Sequence, residues 1–216
     1  MNKKRYWLLI SSILLTMSLS VGAFSKSILK PVAENAESTH PLGKGDPVPE
    51  GTLWDVNGKP FSLLSAIKRK PTILIFYRGG WCPFCSRHLK ALADIEPELT
   101  KLGYQILAIG TDKPRILKDM TAEMALPYTL LSDNTMEMGR KFGLVFKLDP
   151  SYYAAAQRLF VESTGQNNPW LPVPAAYVVD KKGVIRFAYT NPEFRTRVDP
   201  QDLLDAAKAS LSASAH

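Results

Sequence analysis

Six residues from Thr72 to Tyr77 form an almost unbroken apolar run, Gly79-Gly80 ends it, and Trp81-Cys82-Pro83-Phe84-Cys85 follows. Apolar residues at successive positions need cover on both faces, so the run reads as a central strand with helices on either side. Beyond the cysteines, Leu89, Leu92, Ile95, Leu99 and Leu102 recur at steps of three and four, the period of a helix. Pro97 is expected to kink that helix or end its regular part. A buried strand, a glycine turn and a helix opening on two thiols leave few folds open.

The rest of the chain extends the same alternation. Thr52–Asp55 and Pro60–Leu63 flank Val56-Asn57-Gly58-Lys59, and Asn-Gly between apolar runs predicts a hairpin. Gln105–Thr111 and Tyr128–Leu131 read as strands, and Ile116–Leu126 and Met136–Phe142 as helices. Strands separated by helices imply an α/β fold, with a central mixed, mostly parallel sheet flanked by helices. From Val145 to Trp170 the alternation breaks around Asp149-Pro150, a helical stretch Ser151–Glu162 and a turn-rich tail, which reads as an inserted helical lid. Ala175–Val179 and Val184–Tyr189 around Asp180-Lys181-Lys182-Gly183 give a second hairpin, and a last helix follows Asp199-Pro200.

Ahead of this domain, set at 45–214, lie two appendages. Lys3, Lys4 and Arg5 precede an uncharged stretch from Trp7 to Phe24, and Val21-Gly22-Ala23 offers a small residue for cleavage, so 1–23 reads as a signal peptide. An uncleaved anchor is the alternative, since 18 residues fall just short of the roughly 20 that span a bilayer. Residues 24–44, polar and without a sustained period, read as a linker. This layout places the chain in the periplasm or another extracytoplasmic compartment, anchored to the inner membrane only if the segment is kept. The net charge of +7 falls to a modest +4 without the three presegment bases, which argues against a nucleic-acid surface.

Two cysteines three positions apart are no disulfide framework, because a bridge over so short a loop stabilises by roughly 2 kcal/mol. They suit chemistry better. With Cys82 at the helix start, unpaired N–H groups and the positive dipole end would favour its thiolate, and Pro83 would sit where a missing N–H costs nothing. Cys85, one turn on, could then resolve a mixed disulfide. Zinc needs more ligands than the pair and His88 supply, so no metal and no cofactor are expected. His88 reads as an exposed helix residue, with tuning of Cys85 as the alternative; Arg78 stands between a surface charge and a partner of the thiolate.

Phe76–Cys85 resembles the active-site segment of thioredoxin-fold proteins, and Leu171–Asp180 resembles their cis-proline strand. That likeness implies a cis Pro174, with Val173 facing the cysteines to pair an extended substrate, and Trp81 beside them. From Gly45 onward the domain is similar to the peroxiredoxin-like branch of the alkyl hydroperoxide reductase and thiol-specific antioxidant family. In its motif Pro-x-x-x-Thr-x-x-Cys, Cys85 matches the attacking cysteine, while Cys82 replaces the threonine and Arg78 the proline; the family's activating arginine falls on Pro174. Thioredoxins carry a buried acid six positions before the first cysteine, where this chain has Phe76. These departures favour thiol–disulfide exchange with envelope proteins, including a thioredoxin-like reductant or a membrane thiol relay. Reduction of hydroperoxides through Cys85 is the second reading, and a copper-binding module the third.

Overall fold

A computed structural model describes residues 29–214, and the signal-peptide reading of 1–23 lies outside them. Among the described residues nine strands and six helices follow the chain order: β1 Thr52–Trp54, β2 Pro60–Ser62, α1 Leu63–Arg69, β3 Thr72–Phe76, α2 Pro83–Lys101, β4 Gln105–Gly110, α3 Pro114–Met124, β5 Thr129–Ser132, α4 Glu137–Lys141, β6 Val145–Lys147, α5 Pro150–Thr164, β7 Trp170–Pro172, β8 Ala175–Val179, β9 Ile185–Thr190 and α6 Pro200–Ser214. Seven strands form one sheet in the order β2-β1-β5-β4-β3-β8-β9, and β6 pairs with β7 in a separate ribbon.

The α/β thioredoxin-like expectation of a mixed sheet flanked by helices holds, but the sheet is mostly antiparallel where a mostly parallel one is expected, its parallel part confined to the middle. β3 runs parallel to β4 and β4 to β5, whereas β8, β9, β1 and β2 join antiparallel. The reason lies in the connections: helices cross over between β3, β4 and β5, while short turns close the hairpins at both edges. All five residues of β3 are buried and split by the pleat. Ile73, Ile75 and then Tyr77 pack with Leu89, Leu92 and Leu204 on one face; Leu74 and Phe76 meet Leu63, Ile67 and Val179 on the other. Each such side chain, fully withdrawn from water, contributes about 1.5–3 kcal/mol.

Three sequence expectations change. α1 takes residue 63, which was read as the end of a strand: Ser62 accepts the Ser65 N–H as its cap, and Leu63, Ala66 and Ile67 turn inward. α2 continues through Pro97 to Lys101, so the proline sits inside the helix and does not end it. The segment read as a linker is laid against the domain from residue 29. Ala33 brackets β6 through Ala33 N–Val145 O (3.0 Å) and Lys147 N–Ala33 O (2.9 Å), and Ala36 and Leu42 pack on the core. The lid is the helix α5, held at its root by the β6–β7 ribbon, which the sequence pattern did not reveal. Among the described residues no helix is long and apolar enough to cross a membrane.

At the end of β4, Gly110 lies under the Tyr77 ring, and a Cβ there would run into that ring. Gly110→Ala is expected to cost about 1–3 kcal/mol, the usual penalty of overpacking, read as a lower urea midpoint at unchanged slope.

Candidate active site

The thiols sit where β3 hands over to α2. Gly79 has φ +152°, and the space a side chain would need there holds the Trp81 indole; at Gly80 that space holds the Met120 thioether. The turn is tied down by Gly80 N–H to Asp112 Oδ2 (2.7 Å) and by Ser86 Oγ donating to Gly80 O (3.1 Å). Cys82 is then the N-cap of α2, with Pro83 in the first turn, and the N–H groups of Cys85 and Ser86 reach its carbonyl at 3.0 and 3.1 Å. Both sulfur-bearing residues are buried, Cys82 at 2% and Cys85 at 1% exposure, so only a small reactant or a moving segment reaches them.

The two thiols share a hydrogen bond, and their ionisation belongs to the pair. The S–H of Cys85 draws Cys82 down to about 6, against burial and with help from Arg78 and Arg197. The same bond, together with burial, pushes Cys85 well above an ordinary thiol. One negative charge on the pair at neutral pH is the result.

Arg78 is buried, at 4% exposure, and not a surface charge. Its guanidinium lies 4.2 Å from the Phe194 ring centre and 5.2 Å from that of Trp81, with Nη2 3.4 Å from the Tyr152 hydroxyl. Thr111 Oγ1 donates to the Arg78 carbonyl at 2.6 Å and fixes its backbone. A second cation, Arg197, was not foreseen: from the loop before α6 its Nη2 reaches Cys85 Sγ at 3.5 Å. Neither arginine is in an ion pair among the described residues, so the thiolate is their nearby counter-charge.

His88 is likewise buried rather than exposed, because it follows Cys85 by three residues on the face of α2 that turns inward with Leu89 and Leu92. Burial and the neighbouring Arg197 push its imidazole down to about 4, against a hydrogen bond to the Val198 backbone, so it is neutral at physiological pH. A buried acid, Asp112, lies just past β4 and supports the turn, not the sulfurs. It accepts the Gly80 N–H and the Ser163 hydroxyl of α5, and burial raises its pKa.

The substrate strand expected at Val173-Pro174 is corrected. Among the described residues no peptide bond is cis, Pro174 included. The Val173 N–H is engaged by Leu144 O at 2.8 Å and its side chain is buried in the core, so its amide is not free to pair an extended chain. Pro174 instead walls the site beside Phe76 and Arg197. Trp81 does stand next to the thiols, edge-on to Phe160 of α5 at 5.1 Å, with its indole N–H unpartnered.

The AhpC/TSA family model matches residues 44–188. Chloroplastic peroxiredoxin Q of Populus jackii is 31% identical over 150 residues, 69% of this chain and 61% of the relative. That of Arabidopsis thaliana is 31% identical over 169 residues, 78% of this chain and 68% of the relative. The match thus spans about three fifths of the length of the first of these relatives. Among solved structures, peroxidoxin BcpB from Mycobacterium tuberculosis superposes with a TM-score of 0.64 at 20% identity, over 78% of this chain and 97% of that one, a likeness of fold.

Titration of the reduced protein by thiolate absorbance should give one thiolate per chain with a midpoint near 6, present above that pH and lost below it. In Cys85→Ser the stronger hydroxyl donor keeps the midpoint low, whereas Cys85→Ala removes the donor and should raise it by a unit or more, on the order of the 1.5–3 kcal/mol of a hydrogen bond to a charged group.

Proposed function

From the premise that this chain belongs to the AhpC/TSA family, we propose that it is a thiol-dependent peroxidase in which Cys85 attacks a hydroperoxide and Cys82 resolves the product. The observation that carries this reading is the buried thiol pair at the head of α2, holding one negative charge between two guanidiniums that no carboxylate neutralises. A peroxide oxygen is small enough to reach such a site without opening it, whereas a protein disulfide needs the site to open, and the Val173 amide that would have held its chain is occupied. Disulfide exchange with envelope proteins, read first from the spacing of the cysteines, therefore gives way to the second reading.

At rest the pair's charge lies on Cys82; the Cys85 proton passes to it along their shared hydrogen bond as Cys85 attacks, which leaves the charge on the sulfur that Arg197 touches. Cys85 sulfur forms a bond to the distal peroxide oxygen as the O–O bond breaks, giving a sulfenic acid and an alkoxide or hydroxide that takes a proton from water. Cys82 then attacks that sulfur, water leaves, and the Cys82–Cys85 disulfide forms. A thioredoxin-like dithiol protein restores the pair, oxidising itself. Trp81, packed against the cluster that holds both cysteines and edge-on to Phe160, must shift for that partner to reach the bridge. Export rests on residues 1–23 alone and belongs to the same proposal; sequencing the N-terminus of the mature chain tests it, with Phe24 expected first.

In stopped flow, reduced protein mixed with hydroperoxide should form sulfenic acid far faster than a free thiol does. Cys85→Ser should abolish that reaction, while Cys82→Ser should keep the first oxidation and lose turnover with a dithiol. Fast oxidation that needs Cys82 instead of Cys85 would exchange their roles; oxidation no faster than a free thiol would remove the peroxidase reading.

A further inference from the structure

A cavity of about 10 Å³, close to the least volume that holds one water-sized group, is walled by Phe76, Pro174, His88, Arg197 and Val198, and is linked to Cys85 through Arg197. Two of its walls are polar and complementary. The His88 Nε2 is buried without a partner, although a buried polar atom is nearly always hydrogen-bonded. The imidazole bonds the Val198 backbone, which leaves Nε2 as the unprotonated nitrogen, an acceptor. Arg197 is the opposite kind of group, a fork of N–H donors with no acceptor, and the same guanidinium reaches Cys85 Sγ at 3.5 Å.

A hydroperoxide carries one O–H donor and two oxygens that accept. We propose that His88 and Arg197 form the oxygen-binding site for the peroxide, His88 Nε2 accepting its O–H and the Arg197 guanidinium donating to the departing oxygen. This rests on the peroxidase reading and deepens it. The motif positions that differ from the family pattern, Cys82 and Pro174, leave this chain without a hydroxyl acceptor and a strand-borne guanidinium. An imidazole one turn along α2 and an arginine from the loop before α6 supply the same two polarities from other elements. As Cys85 sulfur bonds to the distal oxygen, that oxygen keeps its hydrogen and becomes the sulfenic acid. Negative charge grows on the leaving oxygen, where a fixed cation acts most strongly. A neutral imidazole suits the acceptor role, since a protonated one would offer the peroxide a second donor and no acceptor.

The test compares two rates on the same reduced protein, with Cys82→Ser as the common background so that Cys85 alone reacts and wild type means the other positions unchanged: sulfenic acid formation with hydrogen peroxide, and alkylation by iodoacetamide, which reads the thiolate without an oxygen site. His88→Leu should lower the peroxide rate about tenfold, the worth of one hydrogen bond, with alkylation within about twofold of wild type. His88→Gln, which places an amide oxygen near Nε2, should recover most of that loss. Arg197→Met should lower the peroxide rate about a hundredfold, well beyond any fall in alkylation. Equal falls in both rates would assign these residues to the sulfur's charge alone and overturn the proposal, as would a His88→Leu peroxide rate like that of wild type. A wild type no faster than a free thiol would instead remove the peroxidase reading on which the proposal stands.

Discussion

An arginine side chain withdrawn from water needs an anion, and the site is organised by that need. Arg78 is buried between the rings of Trp81 and Phe194, and no carboxylate pairs with it among the described residues. Stacking on aromatic faces offsets part of the desolvation cost, but a buried charge is stable only when another charge or a set of hydrogen bonds answers it. The answer here is sulfur. The glycine turn, the proline in the first turn of α2 and the Asp112 bond to Gly80 all serve to hold two thiols within the field of Arg78 and Arg197.

That arrangement also fixes what the lid contributes. Among the few residues α5 turns inward, Phe160 meets Trp81 and Ser163 donates to Asp112, while the exposed Tyr152 reaches Arg78 with its hydroxyl. The outer face of α5 keeps Leu159 and Val161 exposed, so little apolar burial holds it beyond these contacts. Helices attached by few buried contacts open at lower free energy than the core does. Formation of a bridge between buried cysteines, and its later reduction by a partner, both call for such an opening.

Much of the fold was legible because burial writes itself into sequence. The run Thr72–Tyr77, the Asn-Gly hairpin and the three-four spacing of α2 each predicted an element that the structure contains. The thiol pair was legible for the same local reason. What escaped was non-local. Arg197 comes from a loop with no periodicity, and only the packing of α6 brings it to Cys85. His88 could have been placed inside by following the Cys85, Leu89, Leu92 face one step more closely. The cis geometry and free amide at Val173-Pro174 were carried over from a resemblance; here the residue's own neighbour, Leu144, takes that amide.

The loop between β9 and α6 supplies Phe194 to Arg78 and to the Phe84 ring, and Arg197 to Cys85, while most of its residues face solvent. The reactivity of the sulfurs is thus governed from a surface strap that carries little of the core. Drift in those eight or so positions can retune the chemistry while the sheet stays intact, much as a binding loop varies on a constant scaffold. In a lineage of such chains, catalytic strength and thermal stability would be free to evolve separately, the one written in the strap and the other in the strands.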